Sequence, residues 1–247
     1  PANIAVDRIV NESMLRSRFP VRIQSSSNGI DTETGAVSLE NICLIGTGVG
    51  SGIRTQSGVV NATNVAVHGY DVNWNIERGG LIFADGCTAS GAISAGWQVT
   101  NQGTIVNNNG VASGNGGDGY FASVGGTIVC PASTSKGNGA VGYLVSVAGL
   151  IQAVGGAATG NYSDGYLVTL DGTIQARESS ASANGGWGYN IFNGGRLNAA
   201  SSTASTNTSG SYRVMNFGGM TITGYGGTAT CSPAVNTVGN GNGYIKN

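Results

Sequence analysis

The chain has 247 residues, of which 44 are glycine, with 11 Lys and Arg against 12 Asp and Glu and a net charge of -1. Such a chain presents no basic field for nucleic acid or an anionic membrane, and no apolar run reaches the roughly 18 residues of a spanning helix. Few bulky side chains remain for a globular core, which favours a narrow core continuous along a stack of repeats.

Residues 1–36 read as an N-terminal cap. They carry Arg16, Arg18 and Arg22 and the one helix-like stretch, Ile4 to Phe19. Its apolar residues Ile4, Ile9, Val10 and Leu15 suggest a short helix without a clean face. Its role would be to cover the open strand edge at the end of a solenoid. The start at Pro1, without Met, is what a processed or cut chain shows.

From Val37 the pattern turns to short apolar runs: Val37 and Leu39, Ile42 and Leu44, Val59 and Val60, Val65 and Val67. Ile53 lies 23 residues before Ile76, which puts it in the Ile76 column and Ser51 at the aromatic position. Gly46, Gly48, Gly50 and Gly52 form a flexible turn, lacking the Lys-Ser/Thr ending of a phosphate loop.

Between 74 and 222 the chain repeats every 23 residues. Trp74, Trp97, Tyr120, Tyr143, Tyr166, Tyr189 and Tyr212 form one column, and Gly80 through Gly218 form a second. Ile82, Ile105, Ile128, Ile151, Ile174, Leu197 and Met220 form a third; Asn115, Asn138, Asn161, Asn184 and Asn207 form a fourth. Apolar residues within a unit are spaced by two, as in Tyr143, Val145 and Val147, which is the strand period. The regular leucines of a leucine-rich repeat are missing. The fold class is therefore all-β, a right-handed parallel β-helix with about 23 residues per coil and one short capping segment. The solenoid spans 37–247, with an irregular coil over 223–247 in which Tyr244 opens a further turn of the aromatic column. A chain that stops there is expected to continue into more protein.

Each column has a structural role. Stacked rings bury area inside the solenoid, glycines serve a corner where a side chain would clash or φ is positive, and the asparagines satisfy buried backbone along the stack. Cys130 shares a column with Ala84, Ala153, Ala176 and Ala199, as a small buried hydrophobe would. Cys43, Cys87 and Cys231 are far apart and suggest no zinc site.

Residues two beyond each aromatic, Ile76 to Val214, are apolar and face inward, so the residues between them face out. Outward Phe121, Leu144 and Leu167 make an apolar stripe that Phe192 and Met215 extend. A stripe of this kind marks a partner surface. It points to a homotrimer.

The chemistry is sparse. His68 is alone, no metal cluster or cofactor motif is present, and no Gly-x-Ser-x-Gly elbow occurs. Glycoside hydrolysis needs two carboxylates, and Asp118 and Asp164 occupy one column two coils apart, about 9.6 Å at strand spacing. Asp171 and Glu178 are further candidates on the same or the adjoining turn. Asp118-Gly119 and Asp164-Gly165 are equally the mark of a turn.

The Gly-, Ser- and Asn-rich coils from about Val37 to Asn247, with the charged segment before them, resemble the β-helical parts of bacteriophage tail fibre and tail spike proteins. The resemblance implies a homotrimer on the virion tail, joined to other tail proteins, that attaches to bacterial capsular polysaccharide or lipopolysaccharide. In some members an acidic set cleaves that glycan, and the matching positions here are Asp118, Asp164, Asp171 and Glu178. The coils carry no long insertion from which to build a deep cleft, which favours attachment over cleavage. For attachment, Trp97 with Gln98 and Trp187 with Asn190 are the aromatic and amide pairs to expect at a shallow groove. A polysaccharide depolymerase, a structural shaft and a secreted or surface adhesin are the alternatives.

Overall fold

The structure is a computed structural model that describes residues 3–4, 13–216, 219–221, 230–232, 236–238 and 244–246, with side chains over 24–216. It is a right-handed parallel β-helix. Each regular coil has three short strands, for example Tyr120–Ala122, Thr127–Val129 and Thr134–Lys136. The strands that begin near the aromatic column stack into a ten-stranded front sheet. The other two faces belong to one twenty-stranded sheet, because Ala36–Ile45 runs unbroken along both and pairs with Val59–Thr63 and Ala66–His68. No described helix is long and apolar enough to cross a membrane.

The core is a column of rings. Trp74, Trp97, Tyr120, Tyr143, Tyr166, Tyr189 and Tyr212 are fully buried. Successive rings stack with centroids 4.4 to 6.1 Å apart and planes within 14°. The coil repeat sets that spacing, since parallel strands lie about 4.8 Å apart. Behind the rings runs the asparagine ladder. Asn138 Oδ1 accepts the Asn115 backbone N–H at 3.1 Å and its side-chain amide at 2.9 Å, and the pattern recurs to Asn207. The glycine column is explained by close approach: a Cβ at Gly149 would lie 2.7 Å from the Ala122 carbonyl oxygen. Among the described residues positive φ falls on the two before each column glycine, the first of them Arg78, Asn101, Val124, Val147, Leu170, Asn193 and Asn216.

Three sequence expectations are corrected. Ser13–Gln24 is a strand pairing with Ala36–Ile45, so the expected helix is absent over 13–19, and residues 5–12 lie outside the described residues. The neighbouring strand offers an open backbone edge, and a segment without a clean apolar face gains little as a helix. Coils therefore begin before residue 37, and Ile30–Thr32 already belongs to the front sheet. Second, Ile53 stacks on Trp74 and Thr55 on Ile76, because the steps from Ile53 to Val60 and from Val67 to Trp74 are each one residue shorter than those one coil later, from Trp74 to Ile82 and from Ala89 to Trp97. Third, the strand after Tyr212 is Asn236–Val238, with Asn236 on Tyr212, whereas Tyr244 pairs with Gly219 on the second face. Thr230–Ser232 pairs with Thr203–Ser205, and residues 223–229, 233–235, 239–243 and 247 lie outside the described residues.

Candidate functional site

The outward column of the front sheet runs Asp31, Arg54, Asn75, Gln98, Phe121, Leu144, Leu167, Asn190, Arg213. It is polar at both ends and apolar in the middle. The front strands follow the same division: five residues in Val72–Ile76, Ala95–Val99, Trp187–Ile191 and Gly210–Val214, three in the coils between.

At the C-terminal end the strand begins on Trp187, one coil above Asp164. Asp164 is buried and saturated from within the protein. Its Oδ1 accepts the Trp187 backbone N–H at 2.6 Å and its Oδ2 accepts the Asn190 amide at 2.8 Å. Burial pushes the carboxyl above the ordinary aspartate range, while those two bonds and the nearby Arg213 charge pull the other way. This fixes Trp187 and Asn190 relative to one another. The indole is half-buried, and the Arg213 guanidinium carbon lies 5.7 Å from its ring centroid, a cation–π arrangement. Arg213 also donates from Nε to the Met215 sulfur at 2.8 Å. Asn190 is buried, and its Oδ1 accepts no hydrogen bond. The corner thus joins a half-buried aromatic ring and a guanidinium on a rigid base of buried Asp164 and Asn190. Such a set grips a hydroxylated ring by stacking and by hydrogen bonds.

The other expected site residues scatter. Trp97 is fully buried between Trp74 and Tyr120 and donates Nε1–H to the Val111 carbonyl at 3.4 Å, so it cannot meet a ligand. Its column is the core column, which outweighs the Gln98 next to it; Gln98 stands on the outer face as expected. Asp118 accepts the Val141 backbone N–H at 3.0 Å, and burial raises its pKa. Asp118 and Asp164 are therefore acceptors for the corner of the next coil. Asp171 and Glu178 are exposed with φ of 61° and 58° and lie on two different turns, separated by strand Thr173–Gln175. The four carboxylates occupy all three corners of the coil and do not converge. Among the described residues no group of His, Cys, Asp and Glu could hold a metal. His68 is exposed, with Nδ1 3.1 Å from the Ser90 hydroxyl. Cys43, Cys87 and Cys130 are free thiols, and burial pushes Cys130 up to about 12.

Phe121, Leu144 and Leu167 are half-buried on the outer face, and Phe192 and Met215 flank them. The spacing of two put Val147 and Leu170 on the inward face with Val145 and Val168, but they and Val124 are 44 to 49% exposed and hold φ of 46° to 51°. Branched Val is rare there; the strand ends at Val145 and the positive φ turns Val147 outward although the spacing of two continues through it. The sequence reading missed Arg213 and Tyr162. Tyr162, 82% exposed, shares the Trp187 corner and stands where other coils carry Gly116, Gly139 and Gly185.

No protein-family model matches the sequence, and no curated protein matches it. Among solved structures the chain is similar to the mannuronan C-5 epimerase AlgE4 A-module of Azotobacter vinelandii. The TM-score is 0.57 at 13% identity, covering 99% of this chain and 88% of that one. The likeness is one of fold. Many unrelated families share that fold, so function rests on the site.

Proposed function

We propose that the chain attaches to a polysaccharide through the Trp187 corner, as the receptor-binding segment of a bacteriophage tail fibre or spike directed at capsular polysaccharide or lipopolysaccharide. The observation that carries it is the half-buried Trp187 facing Arg213 above buried Asp164 and Asn190. A preformed, shallow, aromatic platform suits a sugar chain lying along the outside of a solenoid. Attachment is favoured over cleavage because both Asp164 oxygens are occupied and, among the described residues, no second carboxylate acts on it. The apolar band of Phe121, Leu144 and Leu167, widened by Val124, Val147 and Leu170, supports a homotrimer on the virion.

A second reading has one specific support. The structural neighbour is a bacterial enzyme named for a polysaccharide, mannuronan. A secreted or surface β-helical protein that acts on such a polymer would use the same corner. One experiment separates the two: incubate the chain with purified surface polysaccharides and assay retained protein together with new reducing ends and altered sugars. Retention that Trp187→Ala abolishes, with the polymer unchanged, is the expected result. New reducing ends that vanish in Asp118→Asn or Asp164→Asn would replace attachment with depolymerisation. No retention on any polymer would leave a structural shaft.

A further inference from the structure

A second aromatic platform lies on another face of the solenoid, toward its other end. Phe83 is 44% exposed at the centre of strand Leu81–Asp85, with Asn61 beside it on the preceding coil and Val106 on the following one. Two residues along the same strands, Thr63, Asp85 and Asn108 stand side by side. Together they line a shallow depression of about 190 Å3. The strands are five residues long here, Val59–Thr63, Leu81–Asp85 and Thr104–Asn108, against three in Thr127–Val129 and the equivalent strands after it. The sheet is therefore extended by two residues over these coils, and the extension carries Thr63, Asp85 and Asn108.

We infer that this depression is a second carbohydrate subsite, one that takes a neutral, hydroxyl-rich sugar unit against the Phe83 ring. The lining supplies two carboxamides, a hydroxyl and a carboxylate around one flat apolar floor. That set both donates to and accepts from sugar hydroxyls while the ring covers the C–H face. The side chains of Asn61, Thr63, Asp85 and Asn108 are exposed at the surface, open to a ligand. Among the described residues no Lys or Arg lines the depression and Asp85 is the one charge lining it, so a carboxylated or phosphorylated sugar meets repulsion without a counter-charge. The Trp187 corner, with Arg213, has the opposite preference. A volume below the usual few hundred Å3 of an enclosing ligand site fits one residue of an extended chain resting on the surface. One exposed ring with Val106 is too little apolar surface for a protein partner.

The inference extends glycan attachment to a second face without requiring the Trp187 corner, and the test keeps them apart. Isotope-labelled chain is titrated with maltohexaose, cellohexaose and chitohexaose, and separately with an oligouronate of equal length, while backbone and Asn side-chain amide signals are followed. The expected result is saturable shifts confined to 61–63, 83–85 and 106–108 with at least one neutral hexasaccharide, and weaker ones with the oligouronate. Phe83→Ala lowers that affinity about tenfold or more, Asn108→Ala lowers it less, and Trp187→Ala leaves it unchanged. The inference is overturned if no neutral hexasaccharide shifts these signals, or if the oligouronate binds there more tightly. It is equally overturned if the shifts survive Phe83→Ala or disappear in Trp187→Ala. Phe83 is on the outside of its strand, so an unchanged amide spectrum elsewhere establishes that the variant is folded.

Discussion

The two ends of the front sheet are built from the same residue types and do opposite things with them. At the N-terminal end Arg54 bonds Asp31 at 3.1 Å and Glu77 at 2.9 Å, while Asn75 donates to Glu77 at 3.1 Å and to the Ser51 hydroxyl at 3.2 Å. The guanidinium, Asp31 Oδ2, the Glu77 carboxylate and the Asn75 amide nitrogen are spent on one another, while Asn75 Oδ1 is buried without a partner, as Asn190 Oδ1 is. At the C-terminal end the carboxylate of Asp164 holds a backbone N–H and an amide, which leaves Arg213 over an accessible indole. An arginine, an asparagine and acids near one another do not make a binding site. A guanidinium set over a half-buried aromatic ring is what the C-terminal end adds.

That contrast can be broken most severely at Asp164. Asp164→Ala leaves the Trp187 N–H and the buried Asn190 amide without an acceptor, at a cost of roughly 2–3 kcal/mol. A lower denaturation midpoint and loss of polysaccharide retention are expected together. Trp187→Ala separates them: retention falls about tenfold or more while the midpoint of denaturation moves little, because the indole is only half-buried. Arg54→Ala does the reverse. It strands two half-exposed carboxylates and costs about 1 kcal/mol, measurable by urea denaturation, with retention unchanged. In the middle of the sheet, Val147→Asn relieves a branched residue at φ 46° and raises stability by about 1 kcal/mol. If the band is the trimer contact, the same change lowers the sedimenting mass.

The smallest effect is electrostatic. The Arg54 hydrogen bond draws the Glu77 pKa below its ordinary value, whereas burial lifts that of Asp164 above its own. The stability linked to Glu77 is full above the ordinary glutamate value and is lost as pH falls through the lowered one. The folded state holds the Asp164 proton more tightly than the unfolded chain does. Its contribution therefore declines as pH rises from the ordinary aspartate value through the raised one. Carboxyl carbon shifts followed against pH should show Glu77 titrating below the ordinary glutamate range and Asp164 above the ordinary aspartate range. Arg213→Ala should move Asp164 further up, and Arg54→Ala should move Glu77 up toward its ordinary range.

Sequence by itself determined the solenoid, because a coil that pairs with its own copy must place the same residue type at the same step. The stacked rings, the asparagine ladder, the inward Ile and Val column and the outward Phe121, Leu144 and Leu167 all follow from the 23-residue spacing. Periodicity lost its hold where the period changes. Ile53 moved by two positions because two turns are each one residue short, and Asn236 took the place expected for Tyr244 because the coil after Tyr212 is 24 residues long and not 32. Ser13–Gln24 became a strand because a neighbouring strand offered an edge that no local pattern announces. Only the tertiary structure decided between the two tryptophans, since exposure belongs to the column and not to the residue. Trp97 stands at the ring position and is sealed between rings, while Trp187 stands two positions earlier, at the corner. Nor could spacing alone join Asp164, Asn190 and Arg213, which lie in three successive coils and meet because each coil stacks directly on the last.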